Sequence, residues 1–174
     1  MKTRSILFVV LMAMVLGACK RSKNQMLLGS WHATKLENAQ MDSFFVRSQL
    51  FIDTMGKNGN DATNLAIYGS TNIDSLRKMM QQQFDSVKVA QQGSLLNTAF
   101  KFRKDSVAVL SFNGVTDSAR WRVEDSMLVM EDLNKETRGD MLHMGILQLD
   151  DKIMKLRFQE NGSASTVTFE HDAK

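Results

Sequence analysis

The residues of this chain that are best suited to acid–base or metal chemistry are its three histidines, His32, His143 and His171. A zinc site needs three or four nitrogen, sulfur or oxygen ligands close together. None of the three histidines stands at helix or strand spacing from a carboxylate or another histidine. We therefore expect scattered surface histidines, with His171 in the C-terminal tail, and no metal site.

The acidic side chains are the next candidates, because a pair of carboxylates can supply the acid and the base of a hydrolysis. Most of them stand at predicted turns, where aspartate is favoured because its side chain bonds to the local backbone. They are Asp105, Asp117, Glu124, Asp125, Glu131, Asp132, Asp150 and Asp151. Residues 56–61 are rich in Asn and Asp but lack the ligand order of a calcium loop. The sequence also contains no nucleophile elbow and no glycine-rich phosphate loop. We predict a protein that is not an enzyme and needs no cofactor.

Cys19 is the only cysteine of the chain, so no disulfide can form within the protein. It follows an N-terminal segment with the basic residues Lys2 and Arg4 and an apolar run over residues 6–16. This run is too short to span a bilayer comfortably, since a membrane-spanning helix needs about 20 apolar residues. The order of basic, apolar and small residues predicts a signal peptide over residues 1–18.

The four residues Leu16-Gly17-Ala18-Cys19 resemble the lipobox of bacterial lipoproteins. The resemblance implies a diacylglyceryl group on the Cys19 sulfur, cleavage before Cys19, and an acyl chain such as palmitate on the new amino group. Several acyl chains make membrane attachment stable, whereas one chain anchors a protein only marginally. The alternative interpretation is an ordinary secretory signal that happens to be followed by a cysteine.

Residues 19–26 are polar, and we predict that they form a flexible tether. Some lipoproteins with similar anchors carry an acidic export signal just after the cysteine, which directs them to the cell surface. Here no Asp or Glu precedes Glu37. The resemblance therefore implies a lipid anchor in the bacterial outer membrane, with the protein facing the periplasm.

The chain from residue 27 to residue 174 has the length of a single domain. Its charge is nearly balanced once the signal peptide is removed. Loss of Lys2 and Arg4 lowers Lys plus Arg from 22 to 20, against 19 Asp plus Glu, so the net charge falls from +3 to +1. No basic stripe with interleaved aromatic residues is present, so we do not expect nucleic acid as a partner.

Short runs of alternating apolar and polar residues dominate the second half of the sequence. Alternation places successive side chains on opposite faces of a strand, which is typical of a sheet with one buried face. The predicted strands span residues 27–36, 97–103, 107–113, 119–123, 127–131, 141–149, 153–159 and 166–170. The turns between them include Lys104-Asp105, Asn113-Gly114, Glu124-Asp125, Asp150-Asp151 and Asn161-Gly162. Short connections favour antiparallel neighbours, and closing the sheet removes its exposed edges. We predict a mainly β protein built as an eight-stranded up-and-down barrel.

The segment of about residues 41–92 does not follow the strand pattern and is predicted to be a helical insertion after the first strand. Residues 41–55 carry one apolar helix face, and residues 65–68 form a short apolar helix or strand. The clearest helix spans residues 72–92, with Thr71 as its cap and Gly93 at its end. Its apolar stripe consists of Ile73, Leu76, Met80, Phe84 and Val87. A single apolar stripe indicates that this face of the helix packs against the barrel, either across its mouth or on its outer wall.

The residues Gly29-Ser30-Trp31 at the start of the first strand, with a meander of strands after them, resemble lipocalins. The chain is most similar to the lipocalin-like domains of bacterial lipoproteins. The resemblance implies that Trp31 plugs a closed end of the barrel and that Gly29 lets the chain turn into the strand. Lipocalins also cover the Trp with an Arg near the last strand. Residues 165–170 contain none, which leaves Arg157 as the substitute, and Thr116-Asp117 is interpreted as a coincidental turn.

Alternation predicts an apolar set of inward-facing side chains. The set is Trp31, Phe100, Phe102, Val107, Val109, Ala119, Trp121, Val123, Leu128, Met130, Leu142, Met144, Met154, Leu156, Phe158, Val167 and Phe169. The candidate ligand-binding residues among them are Trp31, Phe100, Phe102, Trp121, Met130, Met144, Leu156 and Phe158. A small eight-stranded barrel can hold one ligand or be filled by its own side chains. The first case predicts non-catalytic binding of a hydrophobic or amphipathic small molecule. The second predicts a structural lipoprotein whose helix docks a protein partner.

Overall fold

The protein forms a closed barrel of eight antiparallel strands in a computed structural model that describes residues 21–134, 139–160 and 162–172. Each strand pairs with the next along the chain, and the last strand pairs with the first. The predicted up-and-down eight-stranded barrel is thus confirmed, and none of the described strands leaves an unpaired sheet edge. The strands are β1 (Gly29–Glu37), β2 (Ala99–Phe102), β3 (Val107–Phe112), β4 (Val115–Glu124), β5 (Met127–Asp132), β6 (Met141–Leu149), β7 (Ile153–Glu160) and β8 (Ser163–His171).

Three helices lie between β1 and β2, which confirms the predicted helical insertion, and a short helix precedes β1. The helices are α1 (Lys23–Leu27), α2 (Ala39–Thr54), α3 (Asp61–Tyr68) and α4 (Ile73–Leu96). An asparagine precedes each insertion helix and accepts a hydrogen bond from the backbone N–H three residues later. Such a cap satisfies one of the free N–H groups of the first turn. The segment 65–68, which sequence left open between helix and strand, is helical.

The helix predicted over residues 72–92 is longer than expected and has a different cap. Asn72 caps it, because its Oδ1 accepts a hydrogen bond from the Ser75 N–H at 3.0 Å, so the predicted Thr71 cap is wrong. The predicted end at Gly93 is also wrong, because α4 continues to Leu96 and Asn97 is its C-cap. The extra turn is stabilised by tertiary contacts, since Leu95 packs against the barrel core. Such packing overrides the weak helix preference of one glycine.

The strand β4 begins four residues earlier than predicted, at Val115. The turn before it is the predicted Asn113-Gly114 pair, and both residues have positive φ, 50° and 82°. Asn and Gly are the residues that tolerate this backbone region. Thr116-Asp117 therefore lies inside β4, and its interpretation as a turn is wrong.

The side-chain alternation in β3 is the reverse of the prediction. Ala108 is fully buried in the core, whereas Val107 and Val109, which were expected to face inward, lie on the outer wall. The run from 107 to 110 is apolar at every position, so its own pattern cannot decide which face is buried. Pairing decides it instead, because Ala108 lies opposite the buried Phe102 and opposite Ala119.

The half of the barrel where β1 begins and β8 ends, here called the closed end, is filled by side chains. Trp31 is fully buried there, and its Nε1 donates a hydrogen bond of 2.8 Å to the Leu27 carbonyl. The rings of Phe102 and Trp121 meet edge to face with centroids 5.3 Å apart. The filled core at this end consists of Leu27, Trp31, Phe102, Trp121, Leu128 and Met154.

The helix α1 lies across the closed end, within the segment that was predicted to be a tether. Ser22 and Gln25 form a capping box, which satisfies two backbone N–H groups at its start. Lys23 Nζ donates hydrogen bonds to the Asp125 carbonyl (2.6 Å) and to Ser126 Oγ (3.2 Å), in the turn between β4 and β5. The buried Leu27 side chain completes the plug.

His171, rather than Arg157, covers the tryptophan at the closed end. The His171 ring meets the Trp31 ring edge to face, with centroids 4.6 Å apart and an interplanar angle of 88°. Arg157 is exposed, and its backbone pairs with Gly145 and Thr166 on the wall, so the proposed substitution is wrong. Gly29 makes the approach of His171 possible, because an added Cβ would lie 2.3 Å from His171 Nε2.

Replacing Gly29 by alanine is expected to lower the free energy of unfolding by about 1–3 kcal/mol, which urea titration can measure. The backbone φ of +128° is strained for any residue with a Cβ, and that Cβ would also clash with His171. Gly93→Ala is the matched control, because Gly93 lies in α4 with no heavy atom near its added Cβ. The control is expected to be neutral or stabilising. Equal effects of the two variants would contradict this account of Gly29.

Candidate ligand-binding site

The opposite half of the barrel, here called the open end, contains an apolar cavity of about 630 Å³. Side chains of β1, β2, β3, β6, β7 and β8 form its wall, and residues of α2 and α4 reach its mouth. The lining residues are Leu36, Met41, Gln91, Ser94, Leu95, Thr98, Phe100, Phe112, Leu142, Met144, Leu156, Phe158, Gln159, Val167 and Phe169. Its volume lies within the range of sites that hold drug-sized ligands, about 300–1,000 Å³.

The eight residues that the sequence analysis proposed for ligand binding divide between the cavity lining and the filled core around it. Phe100, Met144, Leu156 and Phe158 line the cavity. The other four, Trp31, Phe102, Trp121 and Met130, are buried outside the cavity lining. Alternation identifies the inward face of a strand, but each strand passes through both the filled and the hollow half.

Aromatic rings form one side of the cavity wall. Phe100 lies 4.7 Å from Phe169 with an interplanar angle of 31°, and 5.7 Å from Phe112 with an angle of 75°, between ring centroids. Met144 and Leu156 are almost fully buried on the other strands. Thioether, aliphatic and aromatic groups together give a surface suited to a flexible apolar chain or a ring system.

The mouth of the cavity carries the polar groups, which sequence reasoning did not identify. Gln91, Ser94 and Thr98 come from the end of α4 and the residues after it, and Gln159 comes from the end of β7. The Gln91 amide contacts the Met41 sulfur at the start of α2. The topology could have predicted these groups, because an insertion between β1 and β2 must leave and re-enter the barrel at the rim where β1 ends.

The insertion therefore partly covers the mouth of the barrel. The start of α2 and the end of α4 lie at the mouth. The predicted apolar stripe, nearer the start of α4, packs against α2 rather than against the barrel wall. Phe84 is buried, with its ring centroid 5.6 Å from that of Phe45. Val87 from the same stripe is 53 % exposed.

A second depression, of about 480 Å³, lies between α2 and α4 and is here called the hairpin groove. It is lined by Phe44, Arg47, Ser48, Phe51, Ile52, Met80, Gln83, Phe84 and Val87. Phe44, Phe51 and Val87 are each about half exposed, so the groove presents apolar surface to its surroundings. Surface of this kind is a common feature of binding faces, although scattered exposed apolar residues are ordinary.

Two of the histidines, His32 and His171, contact the same residue, Asp172, and His143 lies apart from them. His171 lies against Trp31, and His143 is exposed on β6. His32 Nδ1 lies 2.7 Å from Asp172 Oδ1, a carboxylate contact that spacing along the sequence did not predict. Within residues 21–134, 139–160 and 162–172, no group of three or more His, Cys, Asp or Glu side chains could hold a metal ion.

Two of the aspartates at predicted turns, Asp105 and Asp150, bond to the local backbone, as the sequence predicted. Asp150 accepts hydrogen bonds from the N–H groups of Lys152 and Ile153 at 2.9 and 2.8 Å, and Asp105 accepts one from Val107. The Gln148 amide and these two N–H groups lower the pKa of Asp150 below its usual value. A carboxylate stabilised in this way supports the turn, which is a structural role.

Among the described helices, none combines the length and the apolar character that crossing a bilayer requires. Cys19 and the predicted signal peptide lie outside the described residues.

Comparisons with known proteins give little further information. No family model matches the chain, and no curated protein matches it. A crystal structure of a DUF4847 family protein from Bacteroides vulgatus aligns at 12 % identity over 87 % of this chain and 98 % of that chain. The TM-score is 0.44. The candidate site is therefore defined by its own geometry.

Proposed function

We propose that this protein is a lipid-anchored lipocalin-like lipoprotein whose barrel binds a hydrophobic or amphipathic small molecule in the cell envelope without catalysis. The observation that carries the proposal is the apolar cavity at the open end. It is roomy enough for a drug-sized ligand, and it has a few polar groups at one end, as small-molecule sites usually do.

The division of the barrel into two halves supports binding rather than a purely structural role. Trp31, Phe102 and Trp121 fill the closed end, so the core needed for stability is already present there. The open end is left hollow although Phe100, Leu156 and Phe169 surround it with apolar surface. An unfilled apolar space loses dispersion contacts, which makes it unfavourable unless a ligand occupies it.

The position of α1 supports an anchor at Cys19 that leaves the cavity accessible. Ser22 caps α1 at the closed end, and it stands only three positions after Cys19 in the sequence. An extended chain spans at most about 3.6 Å per residue, so an acyl group on Cys19 would hold the closed end within about 10 Å of the bilayer surface. The mouth then opens at the far end of the barrel, toward the periplasm in an outer-membrane protein.

Mass spectrometry tests both parts of this proposal. Native spectra of a soluble form lacking residues 1–19, exposed to an envelope lipid extract, are expected to contain an additional mass that denaturation releases. Denatured spectra of the full-length chain from membranes are expected to carry the mass of acyl groups, which Cys19→Ala should remove. Absence of any bound molecule would count against ligand binding, and equal acylation of Cys19→Ala would count against the anchor.

A second candidate function is interaction with a protein partner through α4, and the half-exposed apolar residues of the hairpin groove favour it. The sequence analysis linked this protein-interaction function to a completely filled barrel, whereas the open end of the barrel contains a cavity. A mass spectrum without ligand, after exposure to the lipid extract, would favour this candidate over ligand binding.

A further inference from the structure

We infer that the preferred ligand is an uncharged amphiphile, with its apolar part inside the barrel and a hydroxyl, amide or ester group at the mouth. This inference rests on the proposed ligand-binding function and specifies the chemistry of the ligand. Three features of the open end carry it: the polar groups of the mouth, the end of α4, and the acidic residues on the rim.

The polar side chains of the mouth can both donate and accept hydrogen bonds without carrying a charge. Ser94 Oγ accepts a hydrogen bond from Asn113 Nδ2 at 2.9 Å, so its own proton is free to donate. Thr98 Oγ1 donates to the Ser94 carbonyl at 3.0 Å, so its oxygen can still accept. The amides of Gln91 and Gln159 add donors and acceptors. Every polar lining side chain in the described part of the chain is thus an amide or a hydroxyl.

The end of α4 makes the mouth unfavourable for an anionic group. The helix ends at Leu96, and Ser94 and Leu95 from its last turn line the cavity. The C-terminal end of a helix carries the equivalent of about half a negative charge, because the peptide dipoles are aligned. A carboxylate or phosphate placed there would be repelled, whereas a hydroxyl group can donate its proton.

Acidic side chains on the neighbouring rim act in the same direction. Asp117 and Asp140 line a depression beside the mouth that shares Leu142 with the cavity. Arg157, a cation of the neighbouring strand β7, lies on the outer wall between the inward-facing Leu156 and Phe158. Side chains alternate between the two faces of a strand, so the wall separates the Arg157 guanidinium from the cavity.

The inference can be tested with two ligands that differ only in the polar end, dodecan-1-ol and dodecanoic acid. The affinity of each ligand is measured by its displacement of the uncharged probe N-phenyl-1-naphthylamine. The protein used is the chain that begins at residue 19 and carries Cys19→Ser. This form contains every described helix and strand. At pH 8 the acid is ionised, since carboxyl groups titrate near pH 4. We expect the alcohol to bind at least about tenfold more tightly, because desolvating an unpaired carboxylate is costly.

A pair of charge variants separates the effect of the mouth from a general preference for alcohols. Gln91→Lys places a cation at the mouth and is expected to raise the affinity for dodecanoate several-fold relative to the affinity of the same variant for dodecan-1-ol. Gln92→Lys is the matched control, because Gln92 is exposed on α4 and does not line the cavity.

These measurements distinguish a failure of the inference from a failure of the proposed ligand-binding function. Dodecanoate binding as tightly as dodecan-1-ol at pH 8 would overturn the inference and leave the ligand-binding function intact. An equal response to Gln91→Lys and Gln92→Lys would overturn the role of the mouth. If neither the probe nor either ligand binds, the proposed function itself fails, and the inference fails with it.

Discussion

Replacing Val167 by tryptophan is expected to lower the affinity of the barrel for N-phenyl-1-naphthylamine by at least about tenfold, equivalent to about 1.4 kcal/mol. Val167 faces the cavity from β8, opposite Leu36 and Leu156. An indole ring at this position would occupy space that the ligand needs. Because the space is empty, the variant is expected to fold, with little of the strain that overpacking a filled core causes. Probe titration and thermal melts measure the two effects.

The control for this variant is Val109→Trp, which makes the same change on the outer wall of β3. Val109 lies opposite Lys101 and Ser118 and does not line the cavity. Its replacement is expected to leave probe affinity within about twofold, well below a tenfold change of about 1.4 kcal/mol. Unchanged affinity in Val167→Trp would mean that ligands do not enter this cavity. A large loss in Val109→Trp would restore the inward orientation that the sequence suggested for this residue.

Replacing Trp31 by alanine is expected to have the largest effect on stability, about 3–5 kcal/mol in the free energy of unfolding. The indole is fully buried, contacts His171 and donates the hydrogen bond to the Leu27 carbonyl, so alanine leaves both a void and an unpaired acceptor. Urea titration monitored by circular dichroism measures the loss. Val89→Ala, at a side chain that is 70 % exposed, should change the stability by less than about 0.5 kcal/mol.

Because natural domains are stable by only about 5–15 kcal/mol, Trp31→Ala could leave the protein unfolded. Trp31→Phe keeps most of the ring and is expected to lose a smaller amount, about 1–3 kcal/mol, mainly from the unpaired Leu27 carbonyl. Since Trp31 lies in the filled half, this variant should still bind the probe. A loss of binding at full helix and strand content would mean that the two halves of the barrel are not independent.

Local patterns in the sequence were sufficient for most of the fold. Alternating runs and their turns located the eight strands, and the apolar stripe from Ile73 to Phe84 located the longest helix. These features depend on residues that are neighbours along the chain, so the chain itself displays them. The Asn113-Gly114 turn is a clear example, because its two positive φ angles are favoured by those residue types in any protein.

Errors occurred where a local pattern allowed two answers. The run from Val107 to Leu110 is apolar throughout, and only its pairing with Phe102 and Ala119 determines that Ala108 faces the core. Likewise, Gly93 is an acceptable helix end, and only contacts at the barrel mouth extend α4 to Leu96. In both cases residues distant in sequence contribute the deciding free energy.

The candidate site was the least accessible part from sequence alone. The residue types predicted an apolar interior, and four of the eight nominated side chains do line the cavity. Whether an apolar interior is filled or hollow depends on how side chains from all eight strands meet across the barrel axis. The position of Gln91, Ser94 and Thr98 at the mouth depends on how the insertion returns to the rim. Composition and periodicity determine which face of each element is apolar, but only closure of the barrel brings these faces together, and the volume left between them is a property of the assembled structure.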